Sequence, residues 1–201
     1  MFKARKACIS DKICYFYRFV YCIVKKLISI LLGVFLLLVV GFKERAVDPK
    51  LDTNAKIKAV FIYNFTKYIE WPVANQDGEF KIGILGENQA LYNELDKMSK
   101  IKKVANRSFS INTYSNIKEA GLPHILYIPE DNTEILEDAV AKLKGKSTLI
   151  VTEKAGMAGK GSGINFVIVE NRQKFELNKN NISQHNLKVA SVLENLAVLV
   201  N

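Results

Sequence analysis

Ala55–Pro72 reads AKIKAVFIYNFTKYIEWP, and its reading decides the fold. At about 100° per residue, Ile57, Val60, Phe61, Ile62, Phe65, Tyr68, Ile69 and Trp71 fall on one broad arc. Lys56, Ala59, Thr66, Lys67 and Glu70 fall on the opposite side. An apolar stripe of that width is what a helix needs to cover a sheet. Pro72 cannot continue a helix and drives Trp71 out of the α region, so the helix is expected to stop there. Asn64 projects within the apolar arc, where an unpartnered amide costs about 1–3 kcal/mol. It either ties down a neighbouring loop or contacts a ligand. Tyr63 falls on the polar side and is expected to be exposed, as a contact for a partner.

Upstream lies a segment of different character. Leu27–Phe42, LISILLGVFLLLVVGF, is uncharged and apolar, and Lys25 and Lys26 precede it directly. A charged region followed by an apolar one is the layout of an export signal, and the positive-inside rule sends the downstream domain outward. Val39 and Gly41 stand at the spacing of a cleavage site without forming an A-x-A pattern. The run therefore reads either as a cleaved signal or as a retained inner-membrane anchor. Residues 1–42 form this segment, residues 43–54 a polar tether, and residues 55–201 one α/β domain. Asp52, Thr53 or Asn54 is expected to cap the first helix.

The charge divides the same way. The chain has 201 residues and a net charge of +9. Residues 1–45 hold nine of the 29 basic and two of the 20 acidic residues, so +7 sits there and only +2 on the remainder. A domain so close to neutral lacks the basic face that nucleic-acid binding needs. All three cysteines, Cys8, Cys14 and Cys22, lie in the leader. The domain thus has no disulfide, thiol nucleophile or cysteine metal site.

Downstream of Pro72, Asp77-Gly78 signals a turn, and strands then alternate with helices. Strands are expected at Phe80–Leu85, Phe109–Tyr114, Ile125–Ile128 and Thr148–Thr152, and helices at Gln89–Ser99 and Asn132–Lys144. Ile164–Glu170 and Lys174–Asn178 read as a hairpin, and Ile182–Val200 as a closing helix. The alternation implies a mainly parallel sheet of five to six strands with helices on both faces, and an antiparallel edge hairpin near the C-terminus.

Reactive constellations are scarce. Gly156–Gly163, GMAGKGSG, lacks the spacing of a phosphate-binding loop and leads into a strand, not a helix. It reads as a flexible connection, with Lys160 as the charge of a small anion- or ligand-binding loop if it is more than that. His124 and His185 have no partner at metal-ligand spacing, and no metal or cofactor is expected. Glu134, Glu137 and Asp138 are explained by the first turn of a helix. No serine sits in a nucleophile elbow, and no catalytic residues are assigned. Lys97, Lys100, Lys102, Lys103 and Arg107 cluster around a turn, either as a solvated face or as a contact to anionic lipid.

Several stretches together resemble the YfiR-like family of periplasmic proteins: KAVFIYNFTKYIEWP (58–72), FKIGILG (80–86), HILYI (124–128), TLIVTEKAGMAGKGSGINFVIVENRQKFELN (148–178) and ASVLENLAVLV (190–200). The resemblance implies an exported, non-enzymatic repressor that binds the periplasmic sensor part of an inner-membrane diguanylate cyclase and holds down cyclic di-GMP output. A sensor kinase ectodomain is the other partner it allows, and it admits a homodimer. Well-known members carry cysteine pairs in the domain. This chain has none, so redox control does not carry over. Tyr63, Asn64 and Lys160 are the candidate contact residues. The alternative from the residues alone is a periplasmic binder of small solutes, using the strand-end crevice near Gly86 and Pro129.

Overall fold

A computed structural model describes residues 21, 23–28, 49–73 and 77–200. Cys8, Cys14, Cys22, the apolar run from residue 29 onward and the tether up to residue 48 lie outside the described residues. Within residues 1–42, Tyr21 and residues 23–28 are helical, and the Lys25 Nζ lies 5.7 Å from the centre of the Tyr21 ring. No helix among the described residues is long and apolar enough to cross a membrane. Val47–Asn201 forms a compact unit by itself.

That unit is an α/β domain. Its elements in chain order are α1 (Pro49–Tyr68), β1 (Ile69–Glu70), β2 (Phe80–Leu85), α2 (Gln89–Ser99), β3 (Phe109–Tyr114), β4 (Ile125–Ile128), α3 (Leu136–Leu143) and β5 (Leu149–Thr152), then β6 (Ile164–Val169), β7 (Arg172–Asn178), α4 (Lys179–Gln184), β8 (Lys188–Val189), α5 (Ser191–Leu196) and β9 (Val198–Val200). Seven strands make one sheet in the order β3-β2-β4-β5-β6-β7-β9, and β1 pairs with β8 in a second, two-stranded sheet. All pairs in the large sheet are parallel except β6 with β7. The mainly parallel sheet and the antiparallel hairpin are as expected. The hairpin turns more tightly than expected, over Glu170 and Asn171 alone, both at positive φ, the conformation a two-residue turn demands.

Strand handedness places the helices. The α2 crossover leads from β2 to β3 on one side, and the α3 crossover from β4 to β5 on the other. Both being right-handed, they lie on opposite faces. One face carries α1 and α2 over Phe80, Ile82, Ile84, Ile125, Tyr127, Leu149, Val151, Ile164, Phe166, Phe175 and Leu177. The other carries α3 over Leu85, Leu126, Ile128 and Ile150. The alternation along β2, β4 and β5 shows these strands buried on both sides, as central parallel strands are.

Three expectations are corrected. First, α1 starts at Pro49, inside the expected tether, with proline in its first turn, where a missing N–H costs nothing. It ends at Tyr68 because Ile69 and Glu70 pair with Val189 and Lys188 of β8. Second, its buried face is turned by about 120° from the expected arc. Ala55, Ala59, Ile62, Tyr63, Phe65, Thr66 and Ile69 are buried, while Ile57 and Val60 are exposed. Third, Ile182–Val200 is not one helix. The Asn178 side chain caps α4, Asn186 at φ 57° ends it, and the β-branched tail returns as β9.

Candidate functional site

Tyr63 is buried, not exposed, at 9% of its surface. Its hydroxyl donates to the Lys103 carbonyl at 3.0 Å. The Lys67 and Lys102 ammonium groups lie 4.7 and 4.9 Å from its ring centre. Cations favour an aromatic ring at such distances, so Tyr63 gathers the lysines of two elements. The expected basic turn therefore exists, and Val104 and Arg107 close it through paired backbone hydrogen bonds of 2.9 Å.

Asn64 is half-buried, on the side of α1 that faces away from the sheet. With Ile57 and Val60 it forms an i, i+3, i+7 strip on the outer face. This placement resolves the amide in the apolar arc, because the face around it is solvent-facing and the amide stays wet.

The glycine-rich segment is packed, not flexible. Met157–Lys160 is a short 3-10 helix with Met157 and Ala158 buried. Asn178 Nδ2 and Asn181 Nδ2 donate to the Ala158 carbonyl at 3.1 and 2.8 Å. Gly161, at φ +111°, presses so close to α3 that a Cβ there would stand 2.7 Å from Val140 Cγ2. Lys160 is exposed at the rim of a cleft of about 700 Å³ that also holds Lys154, Glu134 and Glu137. Two lysines face two glutamates there, so the cleft carries no excess charge for an anion.

The strand-end crevice between β2 and β4 is filled. A Cβ on Gly86, at φ +84°, would meet Asn132 Oδ1 at 2.3 Å, so the Asn132 side chain occupies the space offered to a solute. Asn132 opens the helix expected at Asn132–Lys144. It lies instead inside a 3-10 turn, Glu130–Ile135, that precedes α3.

One arrangement escaped sequence reasoning. Lys58 of α1 forms a hydrogen-bonded ion pair with Glu153, just past β5, and both side chains are largely shielded. Glu153 also accepts the Glu130 N–H at 3.2 Å. The pair lines a cleft of about 350 Å³ together with Phe166, Ile168 and Gln173. Below it the Tyr127 hydroxyl is buried and makes no hydrogen bond of ordinary geometry among the described residues. Burial first, and the Glu153 carboxylate second, push this phenol far above its usual pKa, so it stays protonated. Lys58 and Glu153 stand 95 positions apart, and no spacing rule links them. The available signal was a lysine within the apolar start of α1 and an acid at a strand end.

The histidines are structural. His124 Nδ1 accepts the Lys81 N–H at 3.0 Å, and its ring stacks on Phe80 with centres 4.3 Å apart. His185 Nδ1–H donates to the Leu143 carbonyl at 2.8 Å. Among the described residues no three His, Cys, Asp or Glu side chains converge as metal ligands. What these features can do is bind: they offer paired charges, exposed aliphatics and fixed loops.

Comparison with known proteins bears on what such a surface serves. No curated protein matches the chain. The family model for YfiR/HmsC-like proteins matches residues 55–198, from within α1 to the first residue of β9. The match spans six of the seven strands of the large sheet in full, and the chain belongs to the YfiR/HmsC-like family.

Proposed function

We propose that the protein is an exported, non-enzymatic regulator. It binds the periplasmic sensor part of an inner-membrane diguanylate cyclase, or of a related receptor such as a sensor kinase, and holds its output down. The family match over residues 55–198 carries this reading. The apolar run at Leu27–Phe42 behind Lys25 and Lys26 supports export to the periplasm, by cleavage or with the run retained as an anchor.

The contact surface is the outer strip of α1. Ile57, Val60 and Asn64 present the i, i+3, i+7 spacing by which a helix lies in an apolar groove. Ile57 and Val60 are 37% and 46% exposed. Lys160, exposed at the rim of its cleft, is the second candidate contact. Tyr63 acts indirectly, through the lysines it gathers. The solute-binding alternative loses its crevice to Asn132, and a thermal-shift ligand screen tests what remains of it.

Deleting the gene should raise cyclic di-GMP and biofilm, and the native gene should restore both. A Val60→Asp chain, accumulating and melting normally, should fail to restore them. Unchanged cyclic di-GMP on deletion overturns the cyclase reading. Capture of a sensor kinase, and no cyclase, from solubilised membranes redirects it to that receptor.

A further inference from the structure

The turn between α2 and β3 sets an isoleucine among lysines at the surface. Between α2 and β3 the chain reads Lys100-Ile101-Lys102-Lys103. Ile101 is 79% exposed, and all three lysines are exposed. We propose that this turn is a membrane-contact loop, which seats the domain on an anionic phospholipid surface by inserting Ile101 among the headgroups and setting the lysines over the phosphates.

Three observations carry this. The turn is rigid: Ile101 N–H and Lys102 N–H both donate to the Met98 carbonyl, and Val104, 4% exposed, roots the far side in the core. An isoleucine held outward by a fixed frame loses little freedom on insertion. The charge is uncompensated. Lys100 pairs with Asp96 and Lys97 with Glu94, but Lys67, Lys102 and Lys103 form no ion pair among the described residues, and residues 97–107 contain no acid. Tyr63 holds Lys67 and Lys102 against one ring, so two cations are brought together where repulsion would part them.

The pairing of a lone exposed aliphatic side chain with ammonium groups selects the partner: it fits a deformable acidic surface better than a rigid protein pocket. Val73, 80% exposed, precedes β2 at the same end of the sheet. Glu70, Asp77 and Glu79 accompany it, so insertion is assigned to Ile101 alone.

The test uses residues 47–201, a compact unit with its own cores, in vesicle flotation. Vesicles of equal parts phosphatidylglycerol and phosphatidylcholine should bind the protein at about 0.05 M salt and release most of it at about 0.5 M. Pure phosphatidylcholine should bind little. Each lysine near an anionic surface is worth about fivefold in affinity, so Lys102→Gln/Lys103→Gln should weaken binding roughly 30-fold. Ile101→Asn should weaken it about tenfold, its melting unchanged. Lys56→Gln/Lys118→Gln removes the same charge elsewhere and should have little effect. The inference is overturned by no binding to phosphatidylglycerol vesicles, by equal binding to neutral ones, or by equal loss in both lysine pairs. Association with an acidic protein while vesicles are ignored overturns it too.

Discussion

The two faces of the sheet are built by different physics. Under α1 the floor is made of rings. Phe61 and Phe65 meet Phe166 and Phe175 with centres 5.2–6.0 Å apart, and Trp71 stands edge-on to Phe80 at 5.1 Å. Under α3 the floor is aliphatic, and toward the hairpin it turns polar. Strand register sets Thr152 beside Asn165 and Asn165 beside Glu176. Thr152 Oγ1 donates to Asn165 Oδ1 at 2.8 Å, and Asn165 Nδ2 donates to Glu176 Oε2 at 2.8 Å. The first face gains from area removed from water. The second spends core positions on hydrogen bonds that hold the glycine-rich segment in one place. The contact role proposed for the domain needs both: a stiff body and loops fixed upon it.

The sharpest way to break the aromatic face is Phe65→Ala. This side chain is wholly buried and touches rings from α1, β6 and β7. A cavity of that size costs about 3–5 kcal/mol, which lowers the melting temperature by roughly 10–15 °C. Calorimetry on the 47–201 unit measures it. A loss under about 1 kcal/mol would mean that the aromatic cluster does not carry the fold.

The polar face should respond less to the loss of a larger share of its contacts. Asn165→Ala leaves Thr152 and Glu176 without their shared partner. Glu176 is half-exposed and recovers water, while Thr152 is buried and keeps only Ser162 Oγ, 2.9 Å away. The expected cost is about 2 kcal/mol, or roughly 4–8 °C. Loop protection separates this from plain packing loss: hydrogen exchange at Ala158 and Ser162 should quicken more than at β2.

The same contrast explains what the sequence could and could not reveal. Strands β4 and β5 were legible because burial on both faces writes a continuous apolar run, and β2 because only Lys81 interrupts one. The existence of α1 was legible from its aromatic density, but its orientation was not. Ile57 and Val60 are apolar residues on a solvent face, while Ala59 and Thr66 are small residues pressed on the sheet, so counting hydrophobics turned the helix by a third of a circle. The polar row was invisible, since Thr152, Asn165 and Glu176 meet only through register. The rigidity of GMAGKGSG was hidden for the same reason: Asn178 and Asn181, which fasten it, lie at the far end of the hairpin and in α4. The closing segment was misread because Leu187, Ala190, Leu193, Leu196 and Ala197 keep helical spacing through β8 and α5, although Asn186 at positive φ has already ended α4.

The smallest expected effect lies where the sides are tied together, at His185. It follows α4, whose Ile182 packs on the aromatic side, and it donates to the last carbonyl of α3, which covers the other. Burial lowers its pKa below the ordinary value of 6.5, and the Leu143 hydrogen bond opposes this only in part. The folded state therefore holds a neutral imidazole, and the unfolded chain takes up a proton first as pH falls. Stability from this group is complete above pH of about 6.5 and drains away below it, by at most about 1.4 kcal/mol per pH unit. His185→Gln keeps a donor near Leu143 but cannot titrate. Its melting temperature should lie below the native one at pH of about 7.5, and the gap should narrow down to pH of about 5, where carboxylates begin to titrate. A gap that stays constant, or widens on acidification, would mean that the imidazole is not held neutral and that the joint between the two faces is insensitive to its charge.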